Sequence, residues 1–132
     1  MKIKSVTKLK KDLWKIFSLY IRTRDALKIG SLDKAKCYTC DYTYPIKKMQ
    51  AGHFIPGRRN GYLFHEDQVH AQCFRCNINL KGNWPVYLER MREDFGKVIV
   101  EEMINHRRDV VQFKVFELLE KIEIYKKKLK EL

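Results

Sequence analysis

Apolar residues return every three or four positions along the first quarter of the chain: Leu9, Leu13, Ile16, Phe17, Tyr20, Ile21 and Leu27. Lysine and arginine fill the intervening positions, so the spacing predicts an amphipathic helix over 8–28. Gly30 and Ser31 read as its stop. From Cys37 to Asn83 the helical period disappears and turn formers accumulate: Asp41, Pro45, Gly52, Pro56-Gly57, Asn60-Gly61 and Gly82-Asn83. Strand-length segments at 42–46, 49–55 and 68–72 predict hairpins here. The helical pattern resumes at Trp84, with short amphipathic helices over 86–95 and 98–104 parted near Gly96. A last helix is expected from about Asp109 to the end. Its residues Val111, Val115, Leu118, Ile122, Tyr125, Leu129 and Leu132 alternate steps of four and three, which is a heptad seam. Phe113, Phe116 and Leu119 widen that face. It packs against the first helix or makes a homodimer contact, and the two are compatible. The expectation is one α+β domain over 1–132: an N-terminal helix at 8–28, a turn-rich core at 37–83 and C-terminal helices at 84–132.

Charge narrows the class of partner. The 132 residues carry a formal net charge of +12, which draws in polyanions and speeds encounter with them. An anionic membrane surface competes with nucleic acid for that role. However, no apolar run approaches the roughly 18 residues needed to span a bilayer, and the lysine-rich start has no apolar stretch after it. A soluble cytoplasmic protein that binds nucleic acid, with no membrane partner, is expected.

The four cysteines form two pairs, Cys37-x-x-Cys40 and Cys73-x-x-Cys76. Two disulfides and one metal site are the alternatives. A reducing compartment disfavours the first, and each C-x-x-C turn can bring two thiolates to one ion. A structural Zn²⁺ on all four is the reading. Simple zinc ribbons separate their pairs by about 15–20 residues. Here 32 residues, Asp41 to Gln72, intervene, so the insert is where chemistry should be sought.

The insert holds Gln50-Ala-Gly-His53-Phe-Ile and Gln68-Val-His70-Ala-Gln, leading into Cys73-Phe-Arg-Cys76-Asn77. This framework resembles the HNH (ββα-metal) nucleases. More narrowly, A-G-H-F, V-H-A-Q-C-x-R-C-N and G-N are similar to the phage NinG (Rap) group of recombination endonucleases, including its N-terminal helix with Ser18-Leu-Tyr-Ile-Arg-Thr-Arg-Asp25 and its lysine-rich C-terminal helix. The resemblance implies a zinc-stabilised ββα-metal core with flanking helices, and cleavage of DNA at branched intermediates such as Holliday junctions. It makes His53 the general base and Gln68 the residue that orients it, where the family has asparagine. Asn77 becomes a ligand of a catalytic Mg²⁺ or Mn²⁺. Gly52 stands where many HNH enzymes carry a metal-binding Asp or His, and His70 is the candidate for the missing ligand. His53 and His70 can also be read as ordinary packed histidines.

Lys47, Lys48, Arg58, Arg59 and Arg75 surround these motifs in sequence and are expected to hold phosphates. The helix lysines Lys8, Lys10, Lys11 and 126–128 read first as solvated faces. His65 and His106 read as surface residues, and Asn79 and Asn83 as turn and cap residues. Two other functions stand beside a nuclease: a non-catalytic zinc module that binds DNA or RNA, and an adaptor that binds proteins through its last helix.

Overall fold

A computed structural model describes residues 3–132. Helix α1 (Val6–Leu27) starts where Ser5 accepts a hydrogen bond from the Lys8 N–H at 3.2 Å, which satisfies one of the free N–H groups of the first turn. It stops as predicted: Gly30 takes φ +71°, and the Ser31 N–H returns to the Ala26 carbonyl at 3.0 Å. Leu9, Leu13, Phe17 and Ile21, four residues apart, form its fully buried stripe.

Two small antiparallel hairpins follow. The first pairs β1 (Lys34–Lys36) with β2 (Thr43–Pro45); the second pairs β3 (Met49–His53) with β4 (Val69–Cys73). Strand β1 has no counterpart in the sequence reading, because three residues flanked by turn formers are too short to show a period. The connection between β3 and β4 holds the single helical turn α2 (Asn60–Leu63). Beyond β4 the chain makes a π-helical turn, Arg75–Asn79, before α3 (Trp84–Phe95) and α4 (Lys97–Asn105). The break between these two at Gly96, φ +86°, is where the pattern placed it.

The last helix is shorter than expected: α5 spans Val115–Lys130, not Asp109 onward. Residues upstream spend their backbone elsewhere, since the Val111 carbonyl accepts from Asn60 Nδ2 at 2.9 Å. The helix begins where the Glu117 carboxylate takes the Lys114 N–H at 3.2 Å. Leu118, Ile122 and Tyr125 of the seam pack against the α1 stripe, with Leu63, Phe64 and Val69 beneath. The middle of the seam is therefore occupied within the chain, while its ends at Val111 and Leu132, and Phe116 and Leu119 beside it, are left exposed.

The outer edge of β4 is covered by the end of α1. Asp25 accepts the Ala71 N–H at 2.7 Å, and the Arg24 guanidinium donates to the Glu66 and Val69 carbonyls at 2.9 and 2.8 Å. Burial alone would raise the Asp25 carboxyl, but flanking Arg24 and Lys28 hold it below its ordinary range. The fold is thus mixed α+β, and no helix among the described residues is long and apolar enough to cross a membrane.

Candidate metal centre and nucleic-acid cleft

The turn after β1 and the turn after β4 bring the four cysteine sulfurs within 4.8 Å of one another. Cys40 and Cys73 Sγ are 3.8 Å apart, the edge of a tetrahedron whose Zn–S bonds are about 2.3 Å. Backbone N–H groups point at the sulfurs: Cys73 N donates to Cys37 at 3.3 Å and Cys76 N to Cys73 at 3.4 Å. Such donors favour thiolates. Burial works against them at Cys37, yet with Thr39 they bring that thiol down to about 7. Burial, and then the neighbouring thiols, push Cys40 up to about 12. Four thiolates this close repel one another unless a cation lies between them, and this set fits zinc.

His53 ends β3 at the floor of a cleft of about 660 Å³, lined among others by Trp14, Arg22, Gln50, Arg58, Asn77 and Lys81. Trp14 and Arg22 reach it from one side of α1. The His53 ring stacks on Trp14, with centroids 5.0 Å apart, and the Arg58 guanidinium lies 4.4 Å from the centre of the Trp14 ring. His53 Nε2 is 3.0 Å from the Leu63 carbonyl. A carbonyl only accepts, so Nε2 carries the proton and Nδ1 keeps its lone pair. Burial pushes the ring down to about 4, and the Arg58 charge adds to that, against the opposing Leu63 bond. An NMR titration of His53 in the free protein is therefore expected to show a midpoint near 4, leaving the ring neutral at cellular pH. A midpoint at the ordinary value near 6.5 would contradict this environment.

The cleft gathers some of the residues singled out by sequence and not others. His53, Asn77 and Arg58 line it together. Gln68 is buried, and its side chain makes no hydrogen bond to His53; the Leu63 carbonyl holds the ring instead. His70 does not line the cleft. It shares the sheet face of Gly52, its partner in register, while His53 is on the other face. Its ring stacks on Tyr38 at 3.9 Å, and its Nδ1 meets the Tyr87 hydroxyl, which donates to the Gly52 carbonyl at 2.7 Å. His70 thus braces the strand just before His53.

Of the basic residues, Arg59 lines a neighbouring pocket with Trp84, Arg107 and Arg108, whereas Lys47, Lys48 and Arg75 are exposed away from the cleft lining. The sequence reading took Lys10 and Lys11 of α1 for a solvated face and did not single out Lys15; with Trp14 and Arg58 all three line a further groove of about 420 Å³. Their cue was present: Trp14 interrupts the basic face of α1 at the turn where those lysines cluster. His65 and His106 are exposed, and Asn83 begins α3 with its amide on the Thr39 carbonyl.

Asn77 sits on the π-helical turn, directly after Cys76. Its Nδ2 donates to Gln50 Oε1 across the cleft floor, so its Oδ1 is the atom left to bind a ligand. The model of the family described as Bacteriophage Lambda NinG protein matches residues 1–132. No curated protein and no solved structure matches the chain.

Proposed function

The chain belongs to the bacteriophage lambda NinG family, and we propose that it is a metal-dependent endonuclease that hydrolyses DNA phosphodiesters, with branched recombination intermediates such as Holliday junctions as its substrates. The observation that carries this reading is the setting of His53: a neutral imidazole, fixed through Nε2 to a carbonyl, that lines a basic cleft together with Asn77.

In this reading the phosphate backbone lies along α1, against Lys10, Lys11, Lys15 and Arg58, with Trp14 between them. A water hydrogen-bonded to His53 Nδ1 gives up its proton there as its oxygen attacks phosphorus, and the departing oxygen is reprotonated from solvent. The Leu63 carbonyl keeps the ring in the required tautomer and stabilises the imidazolium that forms. Asn77 Oδ1 would hold a divalent cation such as Mg²⁺ or Mn²⁺, whose chemistry is to neutralise charge on the scissile phosphate. The four-cysteine centre has no open position and serves to join the two hairpins.

Purified zinc-loaded protein should cut four-way junction DNA with Mg²⁺ and not with EDTA, and should cut linear duplex less. Absence of cleavage with every divalent metal, alongside tight binding, would favour a zinc-built module that only binds nucleic acid; the weak basicity of His53 is what favours that second reading. Arg58→Ala and Lys15→Ala should each weaken binding and lower the slope of log affinity against log salt by about 0.9. An unchanged slope in both would place the DNA elsewhere.

A further inference from the structure

We propose that Gln72 is an oxygen ligand of a divalent cation, which it binds together with Asn77 in front of Gly52. The purpose of that cation rests on the nuclease reading above; the site itself does not.

Gln72 is fully buried on β4, and its orientation is settled by its partners. Its Nε2 donates to the Gly82 carbonyl at 2.9 Å and to Thr39 Oγ1 at 3.0 Å. Because a carbonyl can only accept, the nitrogen must face Gly82 and the oxygen must face Gly52. Among the described residues that Oε1 has no hydrogen-bond partner, although leaving a buried carbonyl unpaired costs about 1–3 kcal/mol. Asn77 Nδ2 meets Gln50 Oε1, which leaves Oδ1 on the side away from Gln50. Both oxygens lie in front of Gly52. The place a Cβ on Gly52 would occupy overlaps Gln72 Oε1 and is 3.0 Å from Asn77 Oδ1.

Two carbonyl oxygens before one glycine, with no N–H or O–H between them, are complementary to a cation. All-oxygen donors select a hard ion such as Mg²⁺ or Mn²⁺ over zinc. This gives the glycine before His53 a physical reason. Any side chain at position 52 would collide with the Gln72 oxygen, so the ligand that many HNH nucleases place there arrives here from the neighbouring strand. His70, whose Nδ1 is engaged by Tyr87, is not needed for it.

Neither ligand is charged. A site of this kind holds its ion weakly alone and depends on a phosphate to complete it, so cation and DNA should each raise the other's affinity.

The test is paramagnetic broadening by Mn²⁺ of the amide signals of zinc-loaded His53→Ala protein, with and without uncut junction DNA. The Gly52 backbone and Asn77 side-chain signals should broaden before others, at lower Mn²⁺ when DNA is present. Gln72→Met, matched in volume but lacking the oxygen, should need about tenfold more Mn²⁺ for the same broadening. Asn77→Asp, which adds a carboxylate that the Gln50 amide can turn to meet, should need about tenfold less. Equal broadening in Gln72→Met and its parent, or no preference for Gly52 with DNA present, overturns the proposal; a water bridging the two oxygens gives that second result. Should Gln72→Met fail to fold, Asn77→Asp decides alone, an unchanged Mn²⁺ demand counting against the site. Localised broadening in a protein that never cuts DNA would remove the nuclease reading and leave the cation site standing.

Discussion

Cys73→Ser is expected to abolish the cooperative unfolding of the core, and a strong chelator should do the same to the unaltered protein. Cys73 closes β4, and its sulfur faces those of Cys37, Cys40 and Cys76 across the two hairpins. Apart from the ion, the hairpins meet through the Tyr38 N–H on the Ala71 carbonyl, the Tyr38–His70 stack and the Gln72–Thr39 bond. The apolar cluster around the cysteines consists of small or thin side chains such as Ala26, Ala35, Ala71, Ile46 and Met49. Structural zinc contributes about 10–16 kcal/mol in small zinc-folded peptides, whereas a whole domain is stable by about 5–15 kcal/mol. Losing the ion therefore exceeds what the remaining contacts supply. The α1–α5 pair, with its own cluster, should keep part of its helix. Metal content, near-ultraviolet circular dichroism and urea unfolding should be measured together. One zinc per chain and a lost transition in Cys73→Ser support the four-cysteine centre; an unchanged urea midpoint without zinc would refute it.

The second large effect concerns catalysis. His53→Ala should lower junction cleavage by about 10²–10⁴, the usual contribution of a general base, while DNA affinity changes little. The ring bears no charge at working pH, so its removal costs no phosphate contact; Arg58 and the α1 lysines still line the groove. Stability should fall by about 1–3 kcal/mol, because removing the half-buried ring leaves the carbonyl of buried Leu63 without its partner. The comparison needs rates at saturating DNA beside affinities from the same preparations. Equal loss of binding and cleavage would mean that His53 shapes the DNA surface without acting on the phosphate. Residual cutting at the full rate would assign the base elsewhere.

Elements with dense local information were legible. The α1 stripe, its stop at Gly30, the break at Gly96 and the paired C-x-x-C turns all express themselves within a few residues. The position of His53 between those turns was legible for the same reason. The α5 seam was visible too, but its first turn was placed too early: periodicity carried the helix back to Asp109, and only the folded chain shows Asn60 holding the Val111 carbonyl out of it.

The cleft was legible only in part, because its detail comes from distant segments. Gln68 was chosen by its distance along the chain from Cys73, and His70 as the candidate for the ligand missing at Gly52. In the folded chain one is buried without reaching His53, and the other braces Gly52 through Tyr87. Trp14 and the Leu63 carbonyl carry no motif, and Gln72 stands inside V-H-A-Q-C with nothing in that motif to assign it a role. The sequence alone determined an α+β chain of strong positive charge, four cysteines placed to share a metal, and one histidine set between them, because periodicity, charge and short-range spacing are local properties. The tertiary structure alone decided which nitrogen of His53 is free, which lysines border it, and which carbonyl oxygens lie before Gly52. Those outcomes depend on the register of β3 against β4 and on the packing of α1 across them, and neither is written in any one stretch of the chain.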